Sequence, residues 1–377
     1  MPLIRISLSG TEYSSEMSIQ IISDYDTERG LLAVLSDNML IGLYRPESPQ
    51  LGAVMAVRIM TVFPSHHLAE ATGPEGLKLT VRLKARDRLK AGDIVTVTLT
   101  SQPRGDKPAQ SVTGVEYAGR YLIVKPHGDE VRPPRLRWSH KSTPQPEQAP
   151  AYKGLQDSLA SLADAASADI IIRRSAEMLL ASQTAAIPEH LLRAEFETLL
   201  MHSQARPLQP APLSQLSAPA LLYPGMTPSS RLALYYPDAH SRQADRTEWD
   251  DIIETASELC SGSVTTPRGA VFWIEPTRAG IMIDCDSARS GLAGYELCCE
   301  LIPHIIRVIS LRCLSGRIII DFPRQPKAQQ NHILSQIKRC LSDDVRSVEI
   351  PGFTRSGLCE MVIRHTHTPL DDWHHLL

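Results

Sequence analysis

Two apolar runs that each close on an aspartate constrain this chain more than any other feature. The stretch Gly269-Ala-Val-Phe-Trp-Ile-Glu-Pro-Thr-Arg-Ala-Gly-Ile-Met-Ile-Asp-Cys-Asp-Ser-Ala-Arg289 brings its second run to Asp284, and Gly316-Arg-Ile-Ile-Ile-Asp-Phe322 brings its run to Asp321. Short apolar runs between turn residues read as buried strands. A carboxylate is expensive to bury unless it is paired or bound to metal. The two acids are therefore expected at strand ends, where a sheet opens to solvent.

The segment around them reads as α/β. A helix is expected over 294–314, with Pro303 in its interior as a kink or break. A second helix is expected over 327–341, and further strands over 345–350 and 358–364. No phosphate-binding glycine loop of nucleotide enzymes is present.

Earlier, residues 17–45 read as a three-strand meander punctuated by polar turns. Residues 50–118 read as a small OB-type barrel of short strands. From Leu79 onward apolar and basic residues alternate, which sends Arg82, Lys84 and Arg86 to one side of a strand. That basic side is either a track for a phosphate backbone or a solvated outer face. Phe63 and Tyr117 are the only aromatics there, few for a barrel that stacks bases.

A strand is expected over 119–126, then a basic loop and the low-complexity linker 142–150. Helical spacing marks 153–165 and 188–205. Between them Asp169-Ile-Ile-Ile-Arg-Arg-Ser-Ala176 reads as a buried strand ending on Arg173, Arg174 and Ser175. A guanidinium beside a hydroxyl suits an anion; an exposed strand terminus is the plainer reading. Residues 206–230 form a Pro/Leu-rich boundary, 231–236 a strand, and 247–259 a helix.

At 377 residues the chain is long enough for several modules. Its 42% hydrophobic and 21% charged residues describe a folded soluble protein, and a net charge of −3 leaves any nucleic-acid surface to a local patch. No apolar run reaches a membrane span, and no signal peptide is read at the start, so a cytoplasmic protein without a membrane partner is expected. Residues 1–16 read as an extension outside the fold. Seven scattered cysteines without a CxxC pair read as reduced thiols.

These stretches, in this order, resemble the ribonuclease E/G family. Glu275-Pro-Thr277 with Ile283-Asp-Cys-Asp-Ser-Ala-Arg289 is similar to the family's EPTEAL and IDxNSAR segments. Glu300 falls on the glutamate of NLEAA. Leu311 to Phe322 resembles LRLRDLGGxIVIDF, and Thr354-Arg-Ser-Gly-Leu-Cys-Glu-Met361 resembles ISRFGLLEMSR. Gly119-Arg-Tyr-Leu-Ile-Val-Lys-Pro126 is similar to GxYLVLMP, and Ile172-Arg-Arg-Ser-Ala176 to IVRTA.

The resemblance implies a multidomain α/β and β fold. A split RNase H-like domain (1–48 and 211–266) would receive an inserted OB-fold barrel (49–118). A 5′-sensor region (119–210) and a DNase I-like α/β catalytic domain (267–377) would complete it. It implies a Mg²⁺-dependent endoribonuclease acting on single-stranded RNA, with Asp284 and Asp321 as metal ligands and Asp286 in place of an orienting asparagine. Arg174 with Ser175, or Arg173 one residue earlier, would meet a 5′-monophosphate; Arg82, Lys84, Arg86 and Arg289 would add RNA contacts. The chain departs from the family at Asp286, at Cys313 and at Arg324, where the pattern has a second acid. It ends before the CPxC zinc-linker of long members, so no zinc-tethered dimer is expected. The rival readings are an RNA-binding protein of the same fold with little or no nuclease activity, and a structural α/β protein whose acids only cap strands.

Overall fold

The computed structural model describes residues 18–85, 87–127, 132–139, 149–173, 175–176, 189–204, 219–341, 346 and 348–372. The expected extension over 1–16, together with Arg86 and Arg174, lies outside them.

Three strands open the chain: β1 (Ile19–Ser23), β2 (Leu32–Ser36) and β3 (Met39–Tyr44) form the expected antiparallel meander. Five follow: β4 (Val54–Phe63), β5 (Leu68–Thr72), β6 (Lys78–Arg82), β7 (Ile94–Ser101) and β8 (Ala109–Thr113). Their pairing runs β4-β5-β6-β8-β7 and returns to β4, which closes an OB-like barrel with β6 and β8 parallel. Alternate residues such as Met55, Val57, Ile59, Leu79, Val81, Val97 and Leu99 fill it. Closure removes the exposed edges that short strands otherwise present.

Next come β9 (Tyr117–Ala118), β10 (Leu122–Pro126), β11 (Leu136–Trp138), α1 (Ala149–Ala166), β12 (Ala168–Ile172) and α2 (Glu189–Gln204). The sheet β11-β12-β10-β9 packs on both helices through Leu122, Val124, Ile170, Ile172, Leu159 and Phe196.

Then follow β13 (Ala220–Tyr223), α3 (Pro228–Tyr235), β14 (His240–Gln243) and α4 (Arg246–Leu259). Of residues 231–236, expected as a strand, 231–235 are helical instead. Thr227 accepts a hydrogen bond from the Ser230 N–H and Pro228 occupies the first turn, a start signal that outweighs the short apolar run. Strand β14 was not anticipated. It pairs in parallel with β1, so a sheet begun at residue 19 is completed more than 200 residues later.

The last unit contains β15 (Ser263–Thr265), β16 (Val271–Pro276), β17 (Ile281–Asp286), α5 (Gly294–Leu311), β18 (Gly316–Asp321), α6 (Lys327–Cys340), β19 (Val348–Phe353) and β20 (Cys359–Ile363). Its six strands run β15-β16-β17-β18-β20-β19, and α5 and α6 cover one face. Of the kink or break expected at Pro303, the break is absent: α5 runs through it, with Pro303 on its exposed side. A helix-interior proline costs about 3 kcal/mol. Nine buried residues on the opposite face of α5, each contributing roughly 1.5–3 kcal/mol for a large apolar side chain, outweigh it. Among the described residues no helix is long and apolar enough to cross a membrane.

Candidate active site

Period-two alternation divides β17 and β18 cleanly. Ile281, Ile283, Ile318 and Ile320 turn into the core under α5 and α6, while Asp284, Asp286 and Asp321 emerge on the face that, among the described residues, no helix covers. The two strands are parallel neighbours, and their register sets Asp284 directly beside Asp321. Adjacent strands lie about 4.8 Å apart, so two exposed carboxylates share one patch at the carboxyl ends of two parallel strands. Asp286 lies two residues farther along the same face, roughly 6.6 Å on.

Local hydrogen bonds steer these acids. Asp284 Oδ1 accepts the Cys285 N–H at 3.0 Å, and Asp286 Oδ1 accepts the Ala288 N–H at 2.6 Å. The second bond closes a turn that swings the chain toward Arg289. The Arg289 N–H donates to the Gly269 carbonyl at 3.1 Å, and Gly269 holds a φ of +87°, where a side chain would be strained. Arg289 itself is exposed beside the acid-bearing strand. Between the acids Cys285 faces inward. Burial first, then Cys298 and the carboxylates of Asp284 and Asp321, push its thiol up, so it stays protonated and unreactive.

The sheet has cations of its own, but they serve other acids. Arg317 pairs with Glu360 at 3.2 Å and Arg268 with Glu300 at 3.6 Å. Among the described residues neither Asp284 nor Asp321 has a cationic partner, and no group of three or more His, Cys, Asp or Glu gathers as a metal cage. Two adjacent carboxylates without a counter-charge suit Mg²⁺, which keeps several waters and commonly takes one or two carboxylates plus substrate phosphate. They do not suit zinc, which takes nitrogen and sulfur ligands in closed sets. Arg324, two residues past Phe322, is exposed. Glu300 is more enclosed, with its Oε1 buried and unbonded and His304 Nε2 at 3.8 Å. Burial lowers the His304 pKa, with Glu300 opposing and Arg307 adding to it.

The Arg-Ser corner at the end of β12 is organised around the loop 119–122. Arg173 donates to the Gly119 carbonyl and Ser175 to the Arg120 carbonyl. The N–H groups of Arg120, Tyr121 and Leu122 converge on the Glu195 carboxylate at 3.1, 2.8 and 2.7 Å. Burial pushes Glu195 up to about 7, while these amides and Arg173 pull it back. A Cβ at Gly119 would collide with the Glu195 carboxyl, so close approach dictates glycine there. Glu195 escaped the sequence reading because a glutamate on a helix looks like solvated charge. So did Arg364, just past β20. Part of its side chain reaches solvent, but enclosure of the guanidinium, and then Arg173 and Arg82, lower its pKa, with Glu116 opposing. Arg173, at the end of β12, and Arg82, at the end of β6, are therefore both near enough to Arg364 to act on its charge. Lys84 is half-buried, its N–H donating to Asp87 at 2.7 Å.

Comparison with known proteins agrees with the region that carries the acids. Residues 229–366 match the Ribonuclease E/G family. Ribonuclease E of Escherichia coli is 23% identical over 331 residues, covering 79% of this chain and 30% of that protein. Ribonuclease E of Buchnera aphidicola subsp. Schizaphis graminum is 22% identical over 401 residues, covering 94% of this chain and 39% of the relative. Ribonuclease E of a Synechocystis species is 30% identical over 131 residues, covering 33% of this chain and 19% of the relative. The chain therefore spans less than half the length of these relatives.

Proposed function

Because residues 229–366 match the ribonuclease E/G family and the longer alignments are to proteins named ribonuclease E, we propose that the chain is a Mg²⁺-dependent endoribonuclease that cuts single-stranded RNA in RNA processing or decay. The observation that carries the reading is the parallel register of Asp284 with Asp321 on an open sheet face. Asp284 and Asp321 would hold the cation through their carboxylate oxygens. Asp286, its Oδ1 engaged by Ala288, acts from beside the pair as an additional or outer ligand. When bound, Mg²⁺ supplies an activated water and neutralises charge on the scissile phosphate. The chain's own part is to fix the two acids on a rigid sheet, with Arg289 positioned for the RNA backbone.

The nearness of Arg173 and Arg82 to Arg364 supports a phosphate-binding surface away from the acids, and Lys84 and Arg86 are proposed to add RNA contacts to it. Arg173 has more donors than the one it spends on Gly119, which supports a 5′-monophosphate contact by Arg173 or Arg174 with Ser175. The parallel pairing of β14 with β1 supports a split RNase H-like domain interrupted by the barrel, and the β15–β20 sheet under two helices supports a DNase I-like unit.

A 5′-monophosphorylated single-stranded oligoribonucleotide incubated with and without Mg²⁺ tests the reading. Cleavage is expected only with the cation, and Asp284→Ala or Asp321→Ala should reduce it at least roughly 100-fold, the scale on which one electrostatic contributor to a transition state acts. Equal activity in the variants would remove the assignment.

A further inference from the structure

The open face of the β15–β20 sheet carries one large aromatic side chain that the proposed chemistry leaves unused. Trp273 on β16 points away from the core that takes its neighbours Phe272 and Ile274, and it is 38% exposed. Antiparallel register sets Trp273 directly opposite Asp284, and parallel register sets Asp284 beside Asp321. On the other side Trp273 is paired with Ser263. One row across four strands therefore reads Ser263, Trp273, Asp284, Asp321, all exposed. With strands about 4.8 Å apart, the indole stands one strand from the first acid and roughly 10 Å from the second.

A lone exposed apolar residue is ordinary on a protein surface. Register sets this one apart. The row in which the two acids meet is also the row that holds the indole. The other outward residues of β16, Val271 and Glu275, are small or charged. The face is open, so a chain can lie across it.

We propose that Trp273 is a stacking platform for a nucleobase of single-stranded RNA, adjacent to the nucleotide whose phosphate sits at Asp284 and Asp321. The proposal rests on the nuclease reading and adds the feature that selects unpaired RNA. An indole stacks on any base, because every base has a π face, and it can do so only when that base is free of a duplex. Trp273 is thus a substrate-positioning residue with little sequence preference. It holds the strand so that the phosphate meets the acids.

Steady-state cleavage of a single-stranded oligoribonucleotide with Mg²⁺ separates the outcomes. Trp273→Leu should raise KM roughly 5- to 100-fold, the range expected for losing one base–aromatic stack, with a smaller change in kcat. Trp273→Phe keeps a ring in the same place and should stay within a few-fold of the parent. Stopped-flow mixing with the same oligonucleotide should quench indole fluorescence in the parent. In Trp273→Phe that quenching should vanish, leaving only the signal of Trp138, Trp249 and Trp373. Moving an abasic site along the oligonucleotide should reveal one position whose loss weakens the parent and not Trp273→Leu. An unchanged KM in Trp273→Leu, or quenching that persists in Trp273→Phe, overturns the proposal and leaves the nuclease reading standing. A parent protein that neither binds nor cleaves RNA overturns both.

Discussion

At the scale of single residues, the acid pair is a place where the fold accepts instability. Like charges directly opposite on neighbouring strands are unfavourable by roughly 0.2–1 kcal/mol. Asp284→Asn and Asp321→Asn should therefore leave the melting temperature unchanged or raise it slightly while cleavage collapses, checked by thermal unfolding beside the activity assay. A clear loss of stability in either variant would mean that the acids serve the fold. These two positions were legible in the sequence because a charge at the end of an apolar run has few places to go. Trp273 was not. It lies in an apolar run where an indole reads as core, and only the strand register shows that it faces outward. Arg173 and Ser175 were legible as a polar corner, but their use in holding the carbonyls of Gly119 and Arg120 depends on a loop some fifty residues away.

At the scale of elements, helix α5 shows how burial overrides local propensity. Pro303 deprives the helix of one backbone bond, and the helix persists because its other face is a continuous apolar surface against the sheet. Pro303→Ala restores the missing N–H at an exposed position where no packing is lost. It should stabilise the chain by about 1–3 kcal/mol, read as a shift of the urea midpoint without a change of slope. A destabilised variant would mean that the helix is bent around the proline. Helix α3 makes the converse point. Arg231, Leu232 and Tyr235 are its buried residues, a spacing that fits a helix, and Thr227-Pro228 marks its start. The short run Leu-Ala-Leu-Tyr-Tyr suggested a strand because periodicity cannot separate the two over so few residues. The barrel and the acid-bearing sheet were more readable, since each repeats its pattern over several strands. Strand β14 was unreadable because its partner is β1, far away in sequence.

At the scale of the molecule, buried titratable groups set the response to pH. Glu195 has its pKa raised to about 7 by burial. Its contribution to stability is present below its ordinary 4.5 and drains as pH rises through 7. His365 bridges Gln102 of the barrel and Ser315 of the last unit, and burial lowers it to about 4 despite the Gln102 bond. Its contribution runs the other way, present above 6.5 and lost as pH falls toward 4. Each is on the order of a few kcal/mol and the two slopes oppose one another. His367, lowered further by burial and by Arg231, tips the balance toward acid lability. Glu195→Gln removes the opposing slope and should lose more stability than the parent between pH 6.5 and 5 in urea titrations; parallel profiles would show that Glu195 does not titrate there. Asp284 and Asp321, brought side by side by the β17–β18 register, are proposed to share one divalent cation. Mn²⁺ titration of the full chain, followed by electron paramagnetic resonance in the presence of single-stranded RNA, reads this directly. One tightly held ion per chain is expected, lost in Asp284→Asn and equally in Asp321→Asn. An ion retained in either variant, or none in the parent, would contradict it.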